Sequence, residues 1–136
     1  MGILYGLDLS HGARHFVKAA MEGVIYRMFS IYEIIGSISG RVEQIRANGC
    51  YTRSNIWLQI QADIFQKEIA VAGVEEAASI GAAYTAMAAI GFVGSLRQPL
   101  PAMQVSRVIR PNEENAEIYR KGYQQFNDLC EKVYGG

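Results

Sequence analysis

The apolar residues of this chain change their spacing several times, from every second position to every third or fourth, and that alternation restricts the fold more than any other feature. Runs of period two read as strands and runs of period 3.6 as helices. Ile3–Leu9 (ILYGLDL) predicts a short strand, with Ser10 as a helix cap after it. From Ala13 to Ile35 the period becomes helical, with Val17, Ala20, Met21, Val24, Met28, Ile31 and Ile35 on one face and Lys18, Glu22, Arg27 and Glu33 mostly on the other. The stretch Gly36–Gly40 (GSISG) should end that helix.

Val42–Ala47 predicts a second strand, broken by Asn48 and Gly49. Ser54 can cap a helix over Asn55–Phe65, and Ile69–Val71 predicts a third strand that turns at Gly73. Glu75 and Glu76 then stand where a helix start favours negative charge. The helix that follows, to about Ile90, is built from Ala77, Ala78, Gly81, Ala82, Ala86 and Ala89, small enough to press closely on a sheet or another backbone. Gly91–Met103, with Pro99 and Pro101, reads as a loop, and Val105–Ile109 as a short extended piece. Asn112 caps a final helix with Glu113 and Glu114 in its first turn and a seam of Ala116, Tyr119, Tyr123, Phe126, Cys130 and Val133. The order argues for a single α/β domain over residues 1–136, with a small, partly parallel sheet flanked by helices. Three strands leave both outer edges open, so a missing neighbour or self-association through an open edge is expected.

Charge and hydropathy exclude several functions. Lys plus Arg number 13, as do Asp plus Glu, which leaves no basic excess for nucleic acid or an anionic membrane. The longest apolar stretch, Ile80–Val93, is too short and too rich in Ala and Gly for a lipid-facing span. No basic segment precedes an apolar one at the start, so no export signal is expected. Cys50 and Cys130 are far apart and form no CxxC pattern, which fits reduced thiols in the cytoplasm.

The turn Ala47-Asn48-Gly49-Cys50-Tyr51-Thr52-Arg53-Ser54 is the most suggestive site. A glycine between a strand and a helix start lets a ligand approach the backbone, and the first helical amides attract polar or negative groups. An ordinary strand-to-helix turn has the same spacing, so both readings stand at this point. Among other candidates, His11 and His15 have a spacing that can hold zinc on a helix, but lack an evident third ligand, and a solvated helix start explains them. Glu22 reads as a structural polar contact, Trp57 and the Tyr119/Tyr123/Phe126 stripe as core, and Cys50 as a passive replacement for glycine.

Ala47–Phe65 (ANGCYTRSNIWLQIQADIF) resembles the C-terminal nucleotide-binding signature of the FGGY carbohydrate kinases, through Gly49, Ser54, Trp57, Gln59, Ala62 and Asp63. Ser10-His11 with Ala19–Val24, and Glu75–Ala78 through Gly81–Ala83, are similar to the helices on either side of it. Glu22–Tyr26 (EGVIY), Arg53-Ser54 and Ala62–Phe65 (ADIF) lean towards gluconate kinases. The resemblance extends over essentially the whole chain. It implies the C-terminal part of the second of two ribonuclease-H-like, actin-like domains that close on a cleft. In that family ATP lies mainly on the second domain and the sugar on the first, which also supplies the aspartate base. Mg²⁺ and glycine loops hold the phosphates. Carried onto this chain, Gly49, Cys50 and Tyr51 line the adenosine side, Ser54 lies near the adenine edge, and Gly81 lets its helix sit close to the pocket. Cys50 stands where the family has a second glycine, so a side chain there is expected to crowd the ribose or restrict the backbone. The phosphate loop and the first domain have no counterpart in these residues, so no catalytic residue is assigned. ATP or ADP with Mg²⁺ belongs to the complete enzyme, and this portion alone is expected to be inactive. The alternative is a binding or assembly module derived from such a kinase.

Overall fold

The computed structural model describes residues 2–40, 42–73, 76–95 and 104–135. Its elements are α1 (Ala13–Ser39), β1 (Ile45–Ala47), α2 (Asn55–Phe65), β2 (Ile69–Ala72), α3 (Ala77–Ala89), β3 (Val105–Ile109) and α4 (Ala116–Tyr134), with 3-10 turns at Cys50–Arg53 and Glu113–Asn115. The sheet order is β1-β2-β3; β1 runs parallel to β2, and β3 runs antiparallel to it. The parallel pair needs a crossover, and α2 provides it. Ile45 pairs with Ile69, and Ile69 with Ile109, so three isoleucines form one row across the sheet.

α2 organises the molecule. Leu58 and Ala62 pack on Ala47, Ile69 and Val71 of the sheet. Ile60, Ile64 and Phe65 pack instead on Ile25 and Tyr26 of α1 and on Tyr119 of α4. A helix apolar on both sides is stable only between two layers, here the sheet below and the α1–α4 pair above. Tyr123 and Phe126 join that upper layer through ring contacts with Tyr26 and Phe29, so the aromatic stripe of α4 is core.

Several expectations are corrected. Ile3–Leu9 is not a strand. Gly6 takes a left-handed φ of 76°, and Asp8 Oδ1 accepts hydrogen bonds from the Ser10 amide (2.7 Å) and hydroxyl (2.5 Å), which turns the chain. Those bonds hold the Asp8 carboxyl below its ordinary pKa. Ser10 is therefore occupied, and the N-cap of α1 is Gly12. The expected strand at Ile69–Val71 is β2, and the sheet is completed by β3, at the place read only as a short extended piece. α1 continues past Gly36 to Ser39, its stop being Gly40 at φ 83°. Ser37 and Ser39 donate back to the carbonyls of Ile34 and Ile35 across this last turn. Only part of the predicted α1 face is covered: Met21 and Met28 pack on the core, while Val17, Val24, Ile31 and Ile35 stay exposed, and the fully buried Ile25 lay outside that face. Asn112 caps the 3-10 turn that leads into α4, accepting from the Glu114 amide at 3.1 Å.

α3 departs most from its reading. Its small residues do not press on the sheet, and none of its residues is buried. Part of the predicted loop, residues 96–103, and Glu75 lie outside the described residues. Among the described residues, no helix is long and apolar enough to cross a membrane.

Candidate functional site

The bend between β1 and α2 is built from a few local bonds. Ala47 closes β1 fully buried, and the chain then reverses at Gly49, where φ is 93°, a conformation side chains disfavour. A Cβ added at Gly49 would meet no atom within 4 Å, so the chain is open on that side of the glycine. The Gly49 carbonyl accepts from the Thr52 amide (3.1 Å) and from the Thr52 hydroxyl (2.7 Å). The Ser54 amide donates to the Tyr51 carbonyl at 3.0 Å and closes the turn.

Gly49, Cys50, Tyr51 and Ser54 thus come together in one turn. Cys50 is exposed and has an ordinary φ; the positive φ belongs to Gly49, so the cysteine costs the backbone nothing. Both cysteines are free. Tyr51 is half-buried, its ring centroid 6.4 Å from that of Trp57, and burial raises its phenol pKa. Ser54 Oγ accepts from the Trp57 amide at 3.3 Å and caps α2 as expected. That bond leaves the hydroxyl hydrogen free to donate. Trp57 itself packs on the α1–α2–α4 core. Gly81 is not brought to this turn by packing: it lies on α3, and a Cβ there would meet open space.

Two residues that carry the site's geometry were not singled out for it. Arg107 reaches from β3 to the bend, donating to the Thr52 carbonyl and, at 2.9 Å, to Asn55 Oδ1. These partners are more than fifty positions away, and no local pattern announces such a contact. Asp63, 2% exposed, accepts from the Gln59 amide group (2.8 Å), the Asn112 backbone amide (2.8 Å) and the Asn115 side chain (2.7 Å). It ties the entry of α4 to α2. An acid within the apolar run Ala62-Asp63-Ile64-Phe65 was the available signal, since a buried carboxylate requires partners.

The remaining sequence candidates have structural roles. His11 Nδ1 accepts from the Asp8 amide (2.9 Å) and His15 Nδ1 from the Gly12 amide (3.0 Å), so both rings serve the start of α1. Among the described residues, no group of three His, Cys, Asp or Glu side chains is placed to hold a metal ion. Glu22 pairs with Lys18 Nζ at 2.7 Å, and that ammonium lies 5.7 Å from the centre of the Tyr119 ring. A cavity of about 460 Å³ lies between the N-terminal segment, α1 and α4, lined in part by His15, Glu22, Tyr26 and Phe126, and away from the bend.

Comparison with known proteins gives this geometry a context. Residues 1–90 match the FGGY family of carbohydrate kinases, C-terminal domain. The gluconokinase of Bacillus licheniformis is 34% identical over 129 residues, which cover 94% of this chain and 25% of that protein. The crystal structure of xylulose kinase from Rhodospirillum rubrum superposes with a TM-score of 0.78 at 26% identity, over 96% of this chain and 27% of that one. The Plasmodium falciparum glycerol kinase solved with ADP shares the fold, with a TM-score of 0.74 at 22% identity over 96% of this chain and 26% of that one. The chain therefore spans about a quarter of the length of the relatives it matches. With the ribonuclease-H-like, actin-like fold of these kinases and a gluconokinase among its relatives, the chain belongs to the FGGY family of carbohydrate kinases.

Proposed function

We propose that this chain forms the nucleotide-side wall of an ATP-dependent kinase acting on a sugar acid such as gluconate. In the complete cytoplasmic enzyme the ATP γ-phosphate would pass to a substrate hydroxyl. The observation that carries the reading is the bend at Gly49–Ser54, open at its glycine and followed directly by a helix start. Its residues fit the purine end of a nucleotide. Gly49 leaves room for close approach, the Tyr51 ring offers an apolar side, and the Ser54 hydroxyl can donate to a ring nitrogen. Gly81 and α3 are proposed to border the same pocket when the rest of a kinase chain is present. In the complete enzyme Mg²⁺ would accompany the phosphates, with protein ligands proposed to come from the rest of the kinase chain. Phosphoryl transfer needs metal, phosphates and nucleophile positioned together, so these 136 residues alone are expected not to turn over gluconate.

The test is a titration with ADP followed by the fluorescence of Trp57, the single tryptophan, which lies beside Tyr51. Saturable quenching that weakens in Gly49→Val supports the reading. A flat titration at millimolar ADP counts against it.

A second reading, a binding or assembly module derived from such a kinase, is favoured by one observation. Among the described residues β1 and β3 are both outer strands, and α1 exposes Val17, Val24, Ile31 and Ile38 at seven-residue intervals. Unpaired edges and apolar stripes associate when nothing covers them. Sedimentation of the chain as a concentration-independent monomer would remove this second reading.

A further inference from the structure

We propose that Arg107 is the positioning residue of the bend, holding its backbone in the shape that receives the nucleotide; this rests on the reading of the bend as a nucleotide wall. The local bonds of the bend close it on itself, and Tyr51 and Thr52 seat it on the interior. Gly49 is half-buried with open space where a side chain would stand, Cys50 is exposed, Thr52 is buried, and Tyr51 packs against the core shared by α2 and the sheet. Arg107 adds a polar tie from the sheet. Its guanidinium bonds the carbonyl of Thr52, in the last part of the 3-10 turn, and Oδ1 of Asn55, the first residue of α2.

The strand that carries Arg107 makes this effective. Arg107 pairs with Val71 of β2, the central strand, so the bend is referenced to the best-fixed part of the sheet. A guanidinium is planar and presents its donors in a rigid fork, so two bonds fix orientation as well as distance. A lysine at this position could hold one acceptor at a time. Arg107 is exposed and is not among the residues that form the core between α2 and the sheet, where Ile109, Ile69 and Val71 pack with Leu58 and Ala62. Arg107 therefore shapes the bend without being needed for the sheet.

Hydrogen exchange on the wild-type chain, Arg107→Met and Arg107→Lys, each with and without ADP, tests this. In Arg107→Met the amides of Thr52 and Ser54 should exchange about tenfold faster, while those of Leu58–Phe65 and of Ile69–Ala72 keep wild-type rates. Arg107→Lys should lie between, and ADP affinity should fall in the same order. Unchanged exchange at Thr52 and Ser54 overturns the proposal. So does a loss of protection spread equally over α2 and β2, which marks a residue needed for the fold as a whole. If ADP leaves all three proteins unchanged, the nucleotide reading fails, and exchange at the bend alone decides whether Arg107 holds it.

Discussion

The hydroxyl of Tyr26, on α1, occupies the space that a side chain at Gly122 of α4 would need. Tyr26 is buried, with Tyr119 and Phe126 of α4 around it at ring-centroid distances of 6.5 and 5.7 Å. The glycine therefore lets the two helices close over α2. A Cβ at position 122 must push the ring aside within a packed aromatic cluster, at a cost of about 1–3 kcal/mol. Alanine's better helix propensity returns up to about 1 kcal/mol. Gly122→Ala should thus lower the unfolding free energy by about 1 kcal/mol, read from the urea midpoint. In a Tyr26→Phe background the loss should be smaller, because the overlapping hydroxyl is gone; an equal loss in both backgrounds would disprove the steric account.

Asp63 should be the most costly polar residue to remove. Asp63→Ala leaves the Asn112 amide, the Asn115 side chain and one bond of Gln59 without their acceptor in a buried place. Bonds to a charged acceptor are worth more than neutral ones, and a loss of about 3 kcal/mol is expected. Asp63→Asn keeps one acceptor oxygen and should lose less. Thermal unfolding of the two variants checks the order.

Stability should fall at alkaline pH. Burial raises the phenol pKa values of Tyr26, Tyr119 and Tyr123 above the ordinary value, helped at Tyr119 by the charge of Glu22 and at Tyr123 by the bond to Glu33. In the unfolded chain these phenols titrate near 10. Below that pH both states hold the protons and the stabilisation is complete. Above it the unfolded chain binds fewer protons than the native one, so stability declines as pH rises towards the folded pKa values. Urea midpoints across this range should show the decline, and Tyr119→Phe should make it shallower.

Local patterns revealed the elements whose signals are local. Ser54 as cap and Asn55–Phe65 as helix follow from neighbouring residues, and the structure has both. The bend was legible for the same reason, because a glycine between a strand and a capped helix is a local event. Membership of the sheet was not. Ile3–Leu9 and Val105–Ile109 look alike as short apolar runs, but among the described residues only the second finds a partner, and strand pairing is decided by register against β2. Arg107 escaped notice because its partners, Thr52 and Asn55, are distant in sequence. The small residues of α3 suggested close packing, but small size only permits close approach and does not name the surface approached.

Photolabelling with 8-azido-ADP tests the central claim most directly, with the modified residues located by mass spectrometry. The account predicts labelling within the segment from Asn48 to Trp57, suppressed by excess unmodified ADP. Labelling confined to other segments, or labelling of this one that excess ADP does not suppress, would contradict it.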